Sequence, residues 1–203
     1  MTDDYLEQLR RTRVGEPPRL DGQVHLADYD AGWPAAFARE AARIRAALGE
    51  SALLVEHVGS TSVPGLAAKP RIDICLAVAS SADEPAYVPA LTAAGYALVI
   101  REPEWHQHRV FKGPDVDVNL HVYTVGCSEI ERNVLFRDHL RRDAGDRELY
   151  LRIKRELAAR RWQFVQQYAD AKSEVVEDIL ARAGAPPARP DEDERPARLP
   201  EAG

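Results

Sequence analysis

Apolar residues recur every three or four positions at Phe37, Ala41, Ile44 and Leu48, which predicts a helix over 35–48 with one apolar stripe. Asp30-Ala31-Gly32-Trp33-Pro34 supplies an acidic cap and an early proline, and Gly49 a stop. The period then shifts towards two. Residues 53–58 and 71–79 predict strands, the second with Ile72, Ile74, Leu76 and Val78 on one face. Residues 96–100, 108–112 and 116–123 predict three more, the last two joined by a Gly113-Pro114-Asp115 turn. Between these groups Ser80-Ser81-Ala82-Asp83-Glu84 can cap a helix over 85–94 that Gly95 ends. Val24-His25-Leu26 predicts a short strand. Residues 129–142, 146–160 and 162–183 predict helices, the last striped by Val165, Tyr168, Val175, Val176, Ile179 and Leu180. The order predicts an α+β fold: a mixed β-sheet with helices on one face and a C-terminal helical segment. Residues 1–22 are expected to form a flexible arm, with a short helix over 5–12. Residues 23–184 should form one domain and 185–203, rich in Pro, Ala and charge, a disordered tail.

Composition narrows the class of function. Of the 203 residues, 45% are hydrophobic and 30% charged, ordinary for one globular domain. No stretch approaches the roughly 20 apolar residues that cross a bilayer, so a membrane partner is not expected. The opening Met1-Thr2-Asp3-Asp4-Tyr5 lacks the basic start and apolar run of a signal peptide, and Cys75 and Cys127 make no disulfide framework. The expected compartment is the cytoplasm. The net charge of -6 gives nucleic-acid binding no support, and the mixed charges over 137–161 read as a solvated helix face.

The chemistry concentrates between Glu56 and Asp73. Gly59 lets the backbone approach a ligand closely, and Ser60, Thr61 and Ser62 add hydroxyl and N–H donors in the same turn. Lys69 adds a positive charge nearby. A hydroxyl-rich turn capping a short helix would look the same without any ligand. Asp73 raises the odds of a site, because a carboxylate in the middle of an apolar strand is costly without a partner or a task. Asp73 and Cys75 share one strand face. In the next apolar alternation, Asp117, Asn119, His121 and Tyr123 share a face too. That row is either the solvent side of an edge strand or a site, and the residue types favour a site. Only one of the neighbours Glu56 and His57 can face the same cleft.

The run Glu56-His57-Val58-Gly59-Ser60-Thr61-Ser62-Val63-Pro64-Gly65-Leu66-Ala67-Ala68-Lys69-Pro70-Arg71-Ile72-Asp73-Ile74 resembles the signature of the GrpB family. Tyr29 with Trp33-Pro34, Asn119-Leu120-His121-Val122, Phe136-Arg137-Asp138-His139-Leu140, and Tyr168 with Lys172 match the rest of that pattern, over about residues 24–183. The resemblance implies a nucleotidyltransferase-like fold, in which a Gly-Ser turn holds the nucleotide triphosphate. An acid pair on the next strand and a third acid from a later one then bind two Mg²⁺. Gly59-Ser60 matches the turn and Asp73 the first acid. Cys75 stands at the second acid, where a thiol is a poor Mg²⁺ ligand. Asp117, Asn119 or His121 could be the third. The family also occurs fused to dephospho-coenzyme A kinase, which implies a nucleotide-related or accessory role.

Three functions follow. The first is a metal-dependent nucleotidyltransferase acting on a nucleotide and a small acceptor. Gly59, Ser60, Thr61 and Ser62 would hold phosphate, and Lys69 and Arg137 would neutralise it. Asp73, helped by Asp117 or Glu56, would hold a divalent metal, Mg²⁺ ahead of Zn²⁺, and His121 would be a base or further ligand. The second is a non-catalytic module that binds a nucleotide or other phosphate ligand, which Cys75 favours. The third, ranked last, is a metal-dependent hydrolase using His57, His121 and Asp73 with His106 or His108. Cys75 itself reads as a small buried hydrophobe, and His106 and His108 read as loop residues around Trp105.

Overall fold

The alternation of Ile72, Ile74, Leu76 and Val78 builds an interior strand of the sheet, paired on both sides and covered on both faces. The structure is a computed structural model and describes residues 2–185. In chain order the elements are α1 (Thr2–Thr12), β1 (Arg19–Gly22), α2 (Trp33–Leu48), β2 (Leu54–Val58) and β3 (Ile72–Val78). There follow α3 (Val88–Ala93), β4 (Ala97–Glu102), β5 (His108–Lys112), β6 (Val118–Thr124) and α4 (Ser128–Arg142). The chain closes with α5 (Ala144–Ala158), β7 (Trp162–Phe164), α6 (Val165–Asp170) and α7 (Ser173–Arg182). Five strands form a mixed sheet in the order β2-β3-β6-β5-β4, and β1 pairs with β7 in a second, two-stranded sheet. In the large sheet β3 and β6 are parallel and the other neighbours antiparallel.

One sheet face is the main core. Ile72, Ile74, Leu76, Leu120 and Phe111 pack there against Ile44 of α2 and Leu91 of α3, all at most 2% exposed. On the other face α4 covers the β2 end, with Ile130 packing on Val58, Cys75, Ala77 and Tyr123. A third cluster joins Val63 and Leu66, just past the Gly59 turn, to Leu140, Tyr150 and Ile179 of the C-terminal helices. The turn is therefore held between the sheet and the helical segment. Among the described residues no helix is long and apolar enough to cross a membrane.

Several elements differ from the sequence expectation. The arm carries the helix expected over 5–12 as α1, but it is tied down: Tyr5 Oη donates to Asp170 at 2.7 Å, and the Val14 N–H donates to Val99 O at 3.0 Å. The first strand lies at Arg19–Gly22, before the expected Val24-His25-Leu26, because its partner is β7: Arg19 stands opposite Phe164 and Gly22 opposite Trp162. The single helix expected over 162–183 is instead β7, α6 and α7. Gln167 causes part of the break, since its Oε1 accepts from the Gln163 and Phe164 N–H groups at 3.0 Å and fixes a new helix start. Helix α2 begins at Trp33, with Asp30 Oδ1 accepting from the Gly32 N–H at 2.7 Å. Except for Ala185, the tail expected over 185–203 lies outside the described residues.

On the α2 side of the sheet the core takes in a carboxylate. Glu40 on α2 is 2% exposed and accepts a 2.5 Å hydrogen bond from Tyr96 Oη, itself 1% exposed. Tyr96→Phe keeps the ring and strips a buried carboxylate of that donor. Urea unfolding should show a loss of about 1.5–3 kcal/mol; an unchanged midpoint would mean that water reaches Glu40.

Candidate functional site

Gly59 closes β2 with φ +69 and ψ -174. A Cβ at this position would stand 2.6 Å from Asp73 Oδ2 and 3.1 Å from the Asp73 Cβ. Both the left-handed φ and the contact require glycine. Val58 pairs with Asp73 across β2 and β3, so the turn leaves its strand directly beside the acid. Ser60–Ser62 then form one 3-10 turn, closed by Ser62 N–H to Gly59 O and Val63 N–H to Ser60 O, both 3.2 Å. Such a turn offers no internal acceptor to the N–H groups of Ser60 and Thr61.

The hydroxyls of the turn look inward. Ser62 Oγ donates to Gly59 O at 2.6 Å, and Thr61 Oγ1 donates to Arg71 O at 2.9 Å. Since Thr61 has one hydroxyl proton, the 3.1 Å contact to His57 is a donation from His57 Nε2. Two arginines of α4 fix the turn from outside. Arg137 donates to His57 O at 2.9 Å and to Glu56 at 2.6 Å, and Arg141 donates twice to Ser62 O, at 3.1 and 2.8 Å. A cavity of about 380 Å³ runs along the outer edge of β2 between these arginines, Phe37 and His57.

Asp73 faces away from that cavity, onto the polar side of the sheet. Asn119 Nδ2 donates to its Oδ1 at 3.0 Å, and His121 Nε2 stands 3.8 Å from the same oxygen. Burial would raise the Asp73 carboxyl, but His121, Arg71 and Lys69 outweigh it and hold the group below its ordinary 3.8. From His121 a row of side chains crosses three strands: His121 Nδ1 lies 3.1 Å from His108 Nε2, and His108 Nδ1 lies 2.7 Å from Glu102. Carboxylates only accept, so His108 Nδ1 carries a proton, and one further proton lies between the two rings. The hydrogen-bonded row joins His121 to the half-exposed Glu102 and ends 3.8 Å short of Asp73.

The remaining candidates fall apart into separate roles. Asp117 is paired with Arg71 at 2.8 Å and Lys112 at 3.0 Å, and these cations outweigh burial to hold it below 3.8. Glu56 stands opposite Cys75 in register, on the Asp73 face, and is tied to Arg137. Arg137 is committed to Glu56, Asp138 and the His57 carbonyl, so it braces the turn. His57 lies opposite Ile74, on the core face, and stacks on Phe37 with ring centres 4.8 Å apart. It therefore does not join Asp73 and His121. Cys75 is 1% exposed, and burial first, then the Asp73 charge, pushes its thiol up, which keeps it protonated. Lys69 remains beside the turn; burial, then Arg71 and Lys172, bring it down to about 8.

The family model described as GrpB protein matches residues 23–182. The chain belongs to the GrpB family. It is 57% identical over 179 residues to a UPF0157 protein of Halalkalibacterium halodurans, covering 88% of this chain and 92% of that protein. It resembles the crystal structure of the conserved protein GrpB from Enterococcus faecalis with TM-score 0.64 and 27% identity, over 78% of this chain and 96% of that one. It is also 31% identical over 186 residues to a protein of Mycolicibacterium paratuberculosis named dephospho-CoA kinase, of which it spans 46%, against 79% of this chain. The mixed sheet and the GrpB neighbour agree with the nucleotidyltransferase-like α+β fold that the signature implied.

The donor set of this GrpB chain does not fit a two-Mg²⁺ centre. Mg²⁺ wants about six oxygens in an octahedron, whereas Asp73 Oδ1 accepts from Asn119 Nδ2 and has the His121 ring 3.8 Å away, and Cys75 offers a buried thiol. Among the described residues, His139, Asp143 and Asp146 do bring three ligand atoms within 4.8 Å of one another. Arg182 and His139 already grip Asp146, at 2.7 Å each, and Asp143 caps α5. Glu102 escaped the sequence reading, and His108, read there as a loop residue, lies on β5 and is 4% exposed. A heptad or strand period shows which face a residue takes, but not that His108 on β5 meets His121 on β6.

Two outcomes follow. Gly59→Ala should cost at least about 2 kcal/mol from positive φ and overpacking. Adding Asp73→Ala should recover roughly 1 kcal/mol of that in a double-mutant cycle, and strict additivity would refute the contact. His57 is lowered from 6.5 to about 4, burial being the main cause. Between these values the unfolded chain takes up a proton that the folded chain refuses, so stability falls as pH drops from 6.5 to 4. In His57→Gln the slope in that window should flatten, by a total on the order of 3 kcal/mol; a slope equal to wild type would overturn the assignment.

Proposed function

We propose that this chain binds a nucleotide or related small phosphate ester at the Gly59–Ser62 turn, with the phosphate between the turn and Lys69 and with Asp73 beneath. The single observation that carries this reading is the contact of Gly59 with Asp73. It presses a turn whose first N–H groups have no acceptor within the turn against a carboxylate held ionised, and a cation stands alongside. N–H groups and an ammonium recognise phosphate oxygens. A carboxylate beside them accepts a hydrogen bond from a hydroxyl of the same ligand. The relative named dephospho-CoA kinase, in which a segment like this chain makes up under half the length, supports a nucleotide-related ligand.

Transfer of a nucleotidyl group is the second reading. The ionised Asp73 next to His121 favours it, because that pair could serve as a base. The protonated thiol of Cys75 and the neutralisation of Glu56 by Arg137 weigh against it. Binding is therefore placed ahead of transfer. Metal-dependent hydrolysis stays last, because His57 lies across the sheet from His121 and Asp73 and leaves that set one ligand short.

A thermal-shift series tests the reading. ATP, CTP, GTP, UTP and coenzyme A precursors are added with and without Mg²⁺, Mn²⁺ or Zn²⁺ to wild type and Asp73→Ala. A ligand at a hundred times its Kd should stabilise wild type by about 2.7 kcal/mol, and less in Asp73→Ala. No shift with any of them, or the same shift in the variant, refutes this site; release of pyrophosphate from a triphosphate would move the reading to transfer.

A further inference from the structure

Lysines from three separate segments meet around two buried tyrosines. Lys69 follows the turn, Lys154 lies on α5 and Lys172 stands at the start of α7. Lys69 Nζ is 5.6 Å and Lys172 Nζ 4.7 Å from the centre of the Tyr168 ring. Lys154, 2% exposed, donates to Ala67 O at 2.6 Å and lies 5.3 Å from the Tyr150 ring. Tyr168 is 1% exposed, yet among the described residues its Oη finds no hydrogen-bond partner. Neither feature helps folding. A buried hydroxyl without a partner is destabilising, and so are like charges brought together out of water.

The balance of charge is one-sided. Lys154 feels Lys172 and Lys69 against Asp73. Lys69 feels Arg71 and Lys172 against Asp73 and Asp117, and Asp117 is already shared by Arg71 and Lys112. Burial and these neighbours drive Lys69 down to about 8 and Lys154 well below its ordinary value. Lys154 holds the Ala67 carbonyl two residues before Lys69, and Val63 and Leu66 pack in one cluster with Tyr150, so the lysines border the segment that leaves the turn. Where two carboxylates stand on the strand, divalent cations supply the positive charge. Here Cys75 replaces one carboxylate, and fixed ammonium groups stand in the vicinity instead.

We propose that Lys69, Lys154, Lys172 and the Tyr168 hydroxyl seat the diphosphate or triphosphate part of the ligand and do so without a metal ion. This rests on the phosphate-ligand reading above and names its class: a polyphosphate ester. Each ammonium donates charge-assisted hydrogen bonds to phosphate oxygens. The Tyr168 hydroxyl gains an acceptor. Three ammonium groups match the charge of pyrophosphate better than that of a monophosphate dianion.

The test is calorimetric titration in EDTA with inorganic pyrophosphate, orthophosphate, ADP and ATP, on wild type, Lys172→Gln, Lys69→Gln and Tyr168→Phe. Pyrophosphate and the two nucleotides should bind wild type without metal, and orthophosphate at least tenfold more weakly. Each lysine variant should lose at least tenfold in affinity for pyrophosphate. Tyr168→Phe should lose several-fold while melting no lower than wild type, because a merely structural hydroxyl would lower the melting point instead. Binding that needs Mg²⁺, or equal affinity in all variants, overturns the lysine seat. If nucleotides still bind and depend on Asp73, the phosphate reading survives that result. If neither nucleotides nor pyrophosphate bind, with or without metal, both fall together.

Discussion

The close approach of the Gly59 backbone to Asp73 organises the surrounding structure. A side chain at position 59 would collide with the carboxylate, and φ +69 excludes most other residues, so strand β2 ends and the turn begins at one fixed place. From that place Val63 and Leu66, both 0% exposed, carry the chain into the cluster formed by α4, α5 and α7. Arg137 and Arg141 hold the turn's flanking carbonyls from α4. A turn anchored by packing on one side and by two guanidinium groups on the other keeps its N–H groups in a constant direction, which a loop held only by its ends would not.

The two faces of the sheet divide labour. The face against α2 and α3 is apolar and includes His57, whose burial keeps it neutral and whose Nε2 proton fixes Thr61. The opposite face carries Asp73, Asn119, His121, His108 and Lys112 in adjacent strands. Polar groups of this density survive away from bulk water because each has a partner: Asn119 bridges Lys112 and Asp73, and His108 bridges His121 and Glu102. The same network that satisfies them also orients them, so Asp73 presents an ionised carboxylate held by Asn119.

Several features were legible in the amino-acid order alone. The period-two runs named the strands and their faces, which put Asp73 with Cys75 and Asn119 with His121 before any neighbour was known. The 3.6-residue stripe of α2 and the Gly-Ser turn were equally readable, since both depend on residues close in sequence. The run over 162–183 was misread for a complementary reason: its local propensity is helical, and pairing of Trp162 and Phe164 with Gly22 and Arg19, distant in sequence, overrides it.

What only the tertiary structure decided is which side chains meet. Strand order and register determine that His121 touches His108 and not His57, that Arg71 and Lys112 claim Asp117, and that Arg137 claims Glu56. Helix packing brings Lys154 and Lys172 to Lys69, some 80 and 100 residues away in the chain. The sequence determines a residue's face because that follows from φ and ψ within a few residues. Partners and charge balance depend on contacts between distant segments, and these come into being only when the sheet and the C-terminal helices pack together.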